Sequence, residues 1–188
     1  MSNNAQYEKL QQRKELIEKT NQLILSAVNM CSGNPLEAYE QAGIAYHISV
    51  SGPFTEEPYL LGMAKSLNVM GKINLQWKKL GLALAQAHNS QKIAEMLSDK
   101  EMMMQNLRII AEVHFLLNHF EKATEIFNQI LKQPKSEMNQ MLEIEAIQFL
   151  TEIALINGDN KKARGYILKS IDLCIQAKLD EQLGYSYL

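Results

Sequence analysis

Four times along the chain a residue that favours turns stands five positions ahead of a small or aliphatic one: Gly33 before Ala38, Asn68 before Ile73, Asn118 before Ala123 and Gly158 before Ala163. Those anchors lie 35, 50 and 40 residues apart. Spacings of this size belong to architectures built from tandem helical units, none of which can cover its own apolar face. The stretches between the anchors contain few helix breakers, with 4 Pro and 9 Gly in 188 residues. They are rich in Leu, Ala, Gln, Glu, Lys and Met, all good helix formers. Apolar residues return at steps of three and four, as in Leu107, Ile110, Ala111, His114 and Phe115, or Ile144, Ile147, Leu150, Thr151 and Ala154. That is the stripe of a half-buried helix, and no run of alternating β-branched residues competes with it.

Punctuation divides the helical stretches into pairs. Gly33-Asn34-Pro35, Asn68-Val69-Met70, Asn118-His119-Phe120 and Asn157-Gly158-Asp159 each read as a short turn between two helices. Gly and Asn tolerate the left-handed backbone that ends a helix, while Asp and Asn cap the next one. Counting thirteen residues back from each anchor gives Leu25, Leu60, Ile110 and Leu150, where the first helix of a pair is expected to press on the second. Twelve back come Ser26, Leu61, Ala111 and Thr151, small in three of the four; four forward lie Ala42, Trp77, Phe127 and Ile167, and seven forward Ala45, Leu80, Ile130 and Ser170.

A large apolar residue, a small one, a Gly or Asn turn, an Ala and an aromatic four places later resemble the tetratricopeptide repeat. Leu107 to Pro134 is the best match, and Ile147 to Ile171 the second. Gln22 and Glu57 stand where the family prefers an aromatic or apolar residue, and two of the three spacings, 50 and 40, are well above the family's period of about 34 residues. The longer repeats look like those of bacterial signalling proteins, and Ala85 to Met104 is expected to lengthen helices or add a turn. The resemblance implies an all-α, right-handed α-α superhelix of about four hairpins, near residues 5–50, 54–98, 100–133 and 138–178. Residues 179–188 would begin a further helix or cap, so the chain reads as a fragment of a longer protein.

The bulk numbers exclude several other classes. Charges are mixed along the chain, 19 basic against 21 acidic, so there is no basic field for a nucleic-acid backbone. The N-terminus lacks a secretory signal, and no stretch nears the eighteen or so apolar residues of a membrane span. Cys31 and Cys174 are too far apart in sequence for a disulfide framework or a zinc motif, and are read as buried thiols in a reducing, cytoplasmic setting.

Catalytic signals are absent. His47, His88, His114 and His119 are scattered, and the five-residue step from His114 to His119 crosses a turn rather than sharing a helix face. His114 is expected in the core. Neither a phosphate loop nor a nucleophile elbow occurs. Glu143, Glu145, Glu152 and Asp159 read as solvated helix faces, and the methionines around Met102-Met103-Met104, Met138 and Met141 as core filler. No enzyme activity, metal or cofactor is expected.

In the tetratricopeptide family the first helix of each hairpin lines a concave groove that holds a peptide. Carried over by register, the groove candidates are Arg108, Glu112 and Phe115 in the third hairpin, Glu145, Gln148 and Glu152 in the fourth, and Tyr59 and Lys65 in the second. Arg108 matches one position of the family's peptide-carboxylate clamp, but Glu112 stands where that clamp needs Asn. The acidic members point to a basic or mixed ligand. The expected function is a scaffold or regulatory module that binds a protein or peptide, with self-association a further case. The alternative is a sensor in which a signalling peptide controls an attached kinase, cyclase or DNA-binding domain; a helical enzyme or small-ligand binder ranks below both.

Overall fold

A computed structural model describes residues 3–132 and 137–177. Among these the chain is all-helical and contains no strand. Eight α-helices follow one another: α1 (Asn3–Met30), α2 (Pro35–Val50), α3 (Leu60–Gln76), α4 (Leu80–Leu97), α5 (Lys100–Leu116), α6 (Phe120–Leu131), α7 (Glu137–Ile156) and α8 (Asn160–Ala177), with one 3-10 turn at Gly52–Phe54. The expected terminal segment at 179–188 lies outside the described residues, as do the side chain of Met138 and all of Pro134.

The chain forms two compact units, Met1–Ile109 and Ile110–Leu188, with the boundary inside α5. In the first, α1 packs on α2, α3 on α4, and α3 also on both α1 and α2. Its core gathers Ala27, Ala38, Ala42, Ala64, Met70 and Ile73 with Tyr39, Tyr46 and Trp77 at the edge. In the second, α7 packs on α8 and on α6. Ile144, Ile147, Leu173 and Cys174 form a core there, beside a run of rings: Phe127 stacks on Phe149 at 5.0 Å, and Phe115 meets Phe149 edge-on at 5.1 Å.

Three of the helix-to-helix turns are built alike. Lys78, Asn118 and Gly158 take positive φ of 57°, 59° and 72°. The next residue then bonds back to the carbonyl five positions earlier: Lys79 to Asn74 at 2.8 Å, His119 to His114 at 2.9 Å and Asp159 to Ala154 at 2.8 Å. This is the Schellman arrangement, which satisfies carbonyls the helix end would otherwise leave open. The same residue starts the next helix, since its carbonyl accepts from Ala83, Ala123 or Ala163. Ser98, at φ 54°, repeats the pattern between α4 and α5, and the Asp99 carboxylate caps α5 by accepting from the Met102 N–H at 3.0 Å. This turn lies in the stretch from Ala85 to Met104.

The first hairpin turns differently. Gly33 and Asn34 both donate to Met30, and Asn34 caps α2 by accepting from the Glu37 N–H while its amide reaches the Glu37 carboxylate at 2.7 Å. Pro35 occupies the first helical turn, where its missing N–H costs nothing.

The expected turn at Asn68-Val69-Met70 does not exist. All three residues are buried inside α3, and the turn falls ten residues later at Trp77-Lys78-Lys79. Asn68 is held instead by a side-chain partner, and Gly71 lies within α3 with room for a methyl group, the nearest atom to its Cβ position being the Ala83 carbonyl oxygen at 3.6 Å. The true anchor is therefore Ala83 rather than Ile73, and Trp77 and Leu80 are turn-flanking residues. With that change the anchors Ala38, Ala83, Ala123 and Ala163 are all buried, as are Ala45, Ser90, Ile130 and Ser170 seven residues on. Leu25 is a further correction: it is 63% exposed, and Ile24 and Ala27 fill the core in its place. Leu60 merely opens α3 and is half-buried.

Candidate ligand-binding groove

The helix faces that pack neither on a hairpin partner nor fully into water define a hollow in the first unit. On α1, Asn21, Ile24, Leu25 and Val28 follow steps of three and four and so share one face. On α3, Leu61, Lys65, Asn68, Val69 and Lys72 do the same, and the start of α5 adds Asp99, Glu101, Met102 and Gln105. Together they enclose about 430 Å³. Each contributing helix is the first of its hairpin. Leu25 and Val28 turn exposed apolar surface into this concavity, at 63% and 49% exposure.

Its base is polar but satisfied. Asn68 Nδ2 donates to Asn106 Oδ1 at 2.7 Å, Asn106 Nδ2 to Ser90 Oγ at 2.9 Å, and Ser90 Oγ to the Ala64 carbonyl at 2.8 Å. These buried bonds tie α3, α4 and α5 into one register, because any slip would strand amide groups away from water. Nearer the surface, Lys72 Nζ donates to Gln105 Oε1 at 3.2 Å and Gln105 donates to Glu101 at 3.2 Å. At the rim the Tyr59 hydroxyl donates to Asn21 Oδ1 at 3.0 Å. Cys31, at the end of α1, has its thiol pushed up by burial, against the opposing pull of the Lys72 ammonium.

Of the eight sequence candidates, Lys65 lines this hollow and Tyr59 braces its rim. Arg108, half-buried on α5, is not among its lining residues. Glu112, Phe115, Glu145, Gln148 and Glu152 belong to the second unit. There Phe115 is half-buried, its ring packed against Phe120 at 5.8 Å and Phe149, while Glu145 and Gln148 are half-buried and Glu152 is exposed on α7. Glu143, expected on a solvated face, is buried at 5% exposure. Asp159 is exposed and caps α8 by accepting from the Lys162 N–H at 3.0 Å.

A second hollow, of about 350 Å³, lies between α6, α7 and α8, with Phe120, Thr124, Leu150 and Tyr166 among its walls and Glu121, Asp159 and Lys162 at its edge. The sequence pattern marks none of it as a site, because Leu150 and Ala154 on α7 read as core apolar residues and most of the other walls come from second helices and the turn between α7 and α8. Asn68, Lys72 and Gln105 were also missed, and only the corrected position of the second turn brings the first two forward.

The histidine pair is closer than its spacing implied. His114 is buried, and its Nδ1 lies 3.4 Å from Nδ1 of exposed His119 across the α5–α6 turn. Among the described residues no group of three or more His, Cys, Asp or Glu is placed to hold a metal ion, and no helix is long and apolar enough to cross a membrane. Cys31 and Cys174 are free thiols, the first half-buried and the second buried; Met102 and Met104 are buried, and Met141 is exposed. No protein-family model matches the chain, and no curated protein matches it in sequence.

Proposed function

We propose that the chain is a tetratricopeptide-like interaction module that binds a peptide, or a segment of a partner protein, in the hollow between α1, α3 and α5. In this reading the hairpins stack into a right-handed superhelix whose first helices face the ligand. One observation carries it: three successive first helices contribute to a single concavity in which Leu25 and Val28 leave apolar surface uncovered. Apolar surface turned into a concave site marks a place where another molecule is bound. Lys65 and Lys72 stand on one wall and Asp99 and Glu101 on another. That mixture favours a ligand with an apolar side chain flanked by charges of both signs.

The test is a peptide array probed with the full chain, repeated with Leu25→Glu and Lys65→Glu. Leu36→Glu serves as control, since Leu36 is 62% exposed and outside the hollow. Peptides retained by the parent and the control but lost by Leu25→Glu support the reading. Equal retention by all the variants defeats it.

A further inference from the structure

One exposed face of α1, which runs into the hollow at its C-terminal end, carries a stripe that reads as its own complement. Tyr7, Gln11, Lys14, Glu18, Asn21 and Leu25 follow one another at alternating steps of four and three, and all six are exposed. Those steps keep all six on one helix face, apolar at its two ends and polar or charged between them. Tyr7 and Leu25 are each 63% exposed at its two ends, and Leu10, 52% exposed, widens the apolar end. A shallow furrow of about 420 Å³ runs along its second half, past Lys14, Ile17 and Glu18.

Reversing the stripe and laying it on itself matches it position by position. Tyr7 meets Leu25, Gln11 meets Asn21, and Lys14 meets Glu18, and each match occurs twice about a two-fold axis midway between Lys14 and Glu18. A parallel arrangement would instead oppose Lys14 to Lys14 and Glu18 to Glu18. We infer that α1 is the seam of an antiparallel homodimer in which Lys14 of each copy faces Glu18 of the other. A two-fold interface uses one patch on both copies, so the patch must complement itself, and this one does. From Tyr7 to Leu25 the contact is about 27 Å long at 1.5 Å per residue. A single helix face of that length gives a small interface, so the dimer is weak and concentration-dependent.

The stripe meets the hollow at Asn21 and Leu25, but Lys14 and Glu18 do not line the hollow. Sedimentation equilibrium on the full chain across micromolar to millimolar concentrations tests the seam, using Lys14→Glu, Glu18→Lys and the double variant. Each single variant replaces two attractive contacts per dimer with two repulsive ones, and is expected to weaken dimerisation by about tenfold. The double variant restores the parent's constant. So does a one-to-one mixture of the single variants, whose heterodimer sets two acidic side chains of one copy against two basic side chains of the other across the seam. Both substituted positions are exposed, so loss of folding does not confound the result, and far-ultraviolet circular dichroism checks it. A chain that stays monomeric throughout, or a dimer indifferent to the charge exchanges, overturns the proposal.

Discussion

Asn68 on α3 donates its side-chain amide to the side-chain carbonyl of Asn106 on α5 at 2.7 Å, with both residues at or below 2% exposure. The bond joins the first helix of one hairpin to the first helix of the next. Because Asn106 passes the chain on to Ser90 of α4, three helices are locked by two amides and a hydroxyl. Removing Asn106 leaves the Asn68 amide without its acceptor, while Ser90 keeps its bond to the Ala64 carbonyl. Asn106→Ala is therefore expected to cost about 2–4 kcal/mol, from a lost side chain and a buried amide left without its acceptor. Urea unfolding measures it. Asn68→Leu combined with Asn106→Leu should cost less than the two changes summed, because neither amide is then left alone; strict additivity would mean the contact is not formed.

The turns give an opposite pair of effects at equivalent positions. Lys78 holds a left-handed backbone at φ 57°, and Gly158 holds one at φ 72°. A residue with a Cβ pays for that conformation and glycine does not. Lys78→Gly is expected to raise stability by about 0.5–1 kcal/mol, and Gly158→Ala to lower it by about 1 kcal/mol. Thermal unfolding of both variants reads the signs. If Lys78→Gly destabilises, the helix end is not shaped as described.

Lys78 also explains why the sequence misplaced the second turn while locating the others. Gly33-Asn34-Pro35, Asn118 and Gly158 carry residue types that the turn geometry itself prefers, so local chemistry announced them. At the second turn the left-handed position is a lysine, which announces nothing, while the Asn68 that resembles a turn former is held inside α3 by its buried bond to Asn106. Periodicity held the missing signal: Ala163 and Ala123 are 40 residues apart, and a further step of 40 back from Ala123 reaches Ala83. Counting from Ala83 at the offsets that gave Arg108 and Glu112 lands on Asn68 and Lys72, both in the hollow. The opposite error occurs at Leu25, whose apolar character suits a core slot and a ligand surface equally. Composition alone does not separate those two roles.

Close packing of α3 on α2 rests on Gly62. A Cβ at that position would collide with Ser49 Oγ and with the ring of Tyr59. The serine cannot easily yield, because it is buried and its hydroxyl donates to the Ala45 carbonyl at 2.8 Å. Gly62→Ala should therefore swing the Tyr59 ring away and break its bond to Asn21 at the rim of the hollow. A loss of about 1–3 kcal/mol is expected, despite alanine's better helix propensity. Stability equal to or above the parent's would show that the Tyr59 ring moves freely and does not brace the rim.

Cys31 offers a reading of the same region by its reactivity. Burial raises its thiol above the ordinary value, and the Lys72 ammonium works against that rise. Only the thiolate attacks iodoacetamide, so at pH 8 the native chain should label at Cys31 more slowly than the urea-unfolded chain. Lys72→Met removes the charge that favours the thiolate, and should move the midpoint of the rate against pH still higher. The linkage has a definite sign. A thiol whose native value exceeds its unfolded one keeps its proton longer in the folded state, so its contribution to stability is retained below the unfolded value and lost as pH rises through the native one. Labelling followed residue by residue with mass spectrometry separates Cys31 from buried Cys174. A native midpoint at or below that of the unfolded chain would contradict the burial of Cys31 beside Lys72.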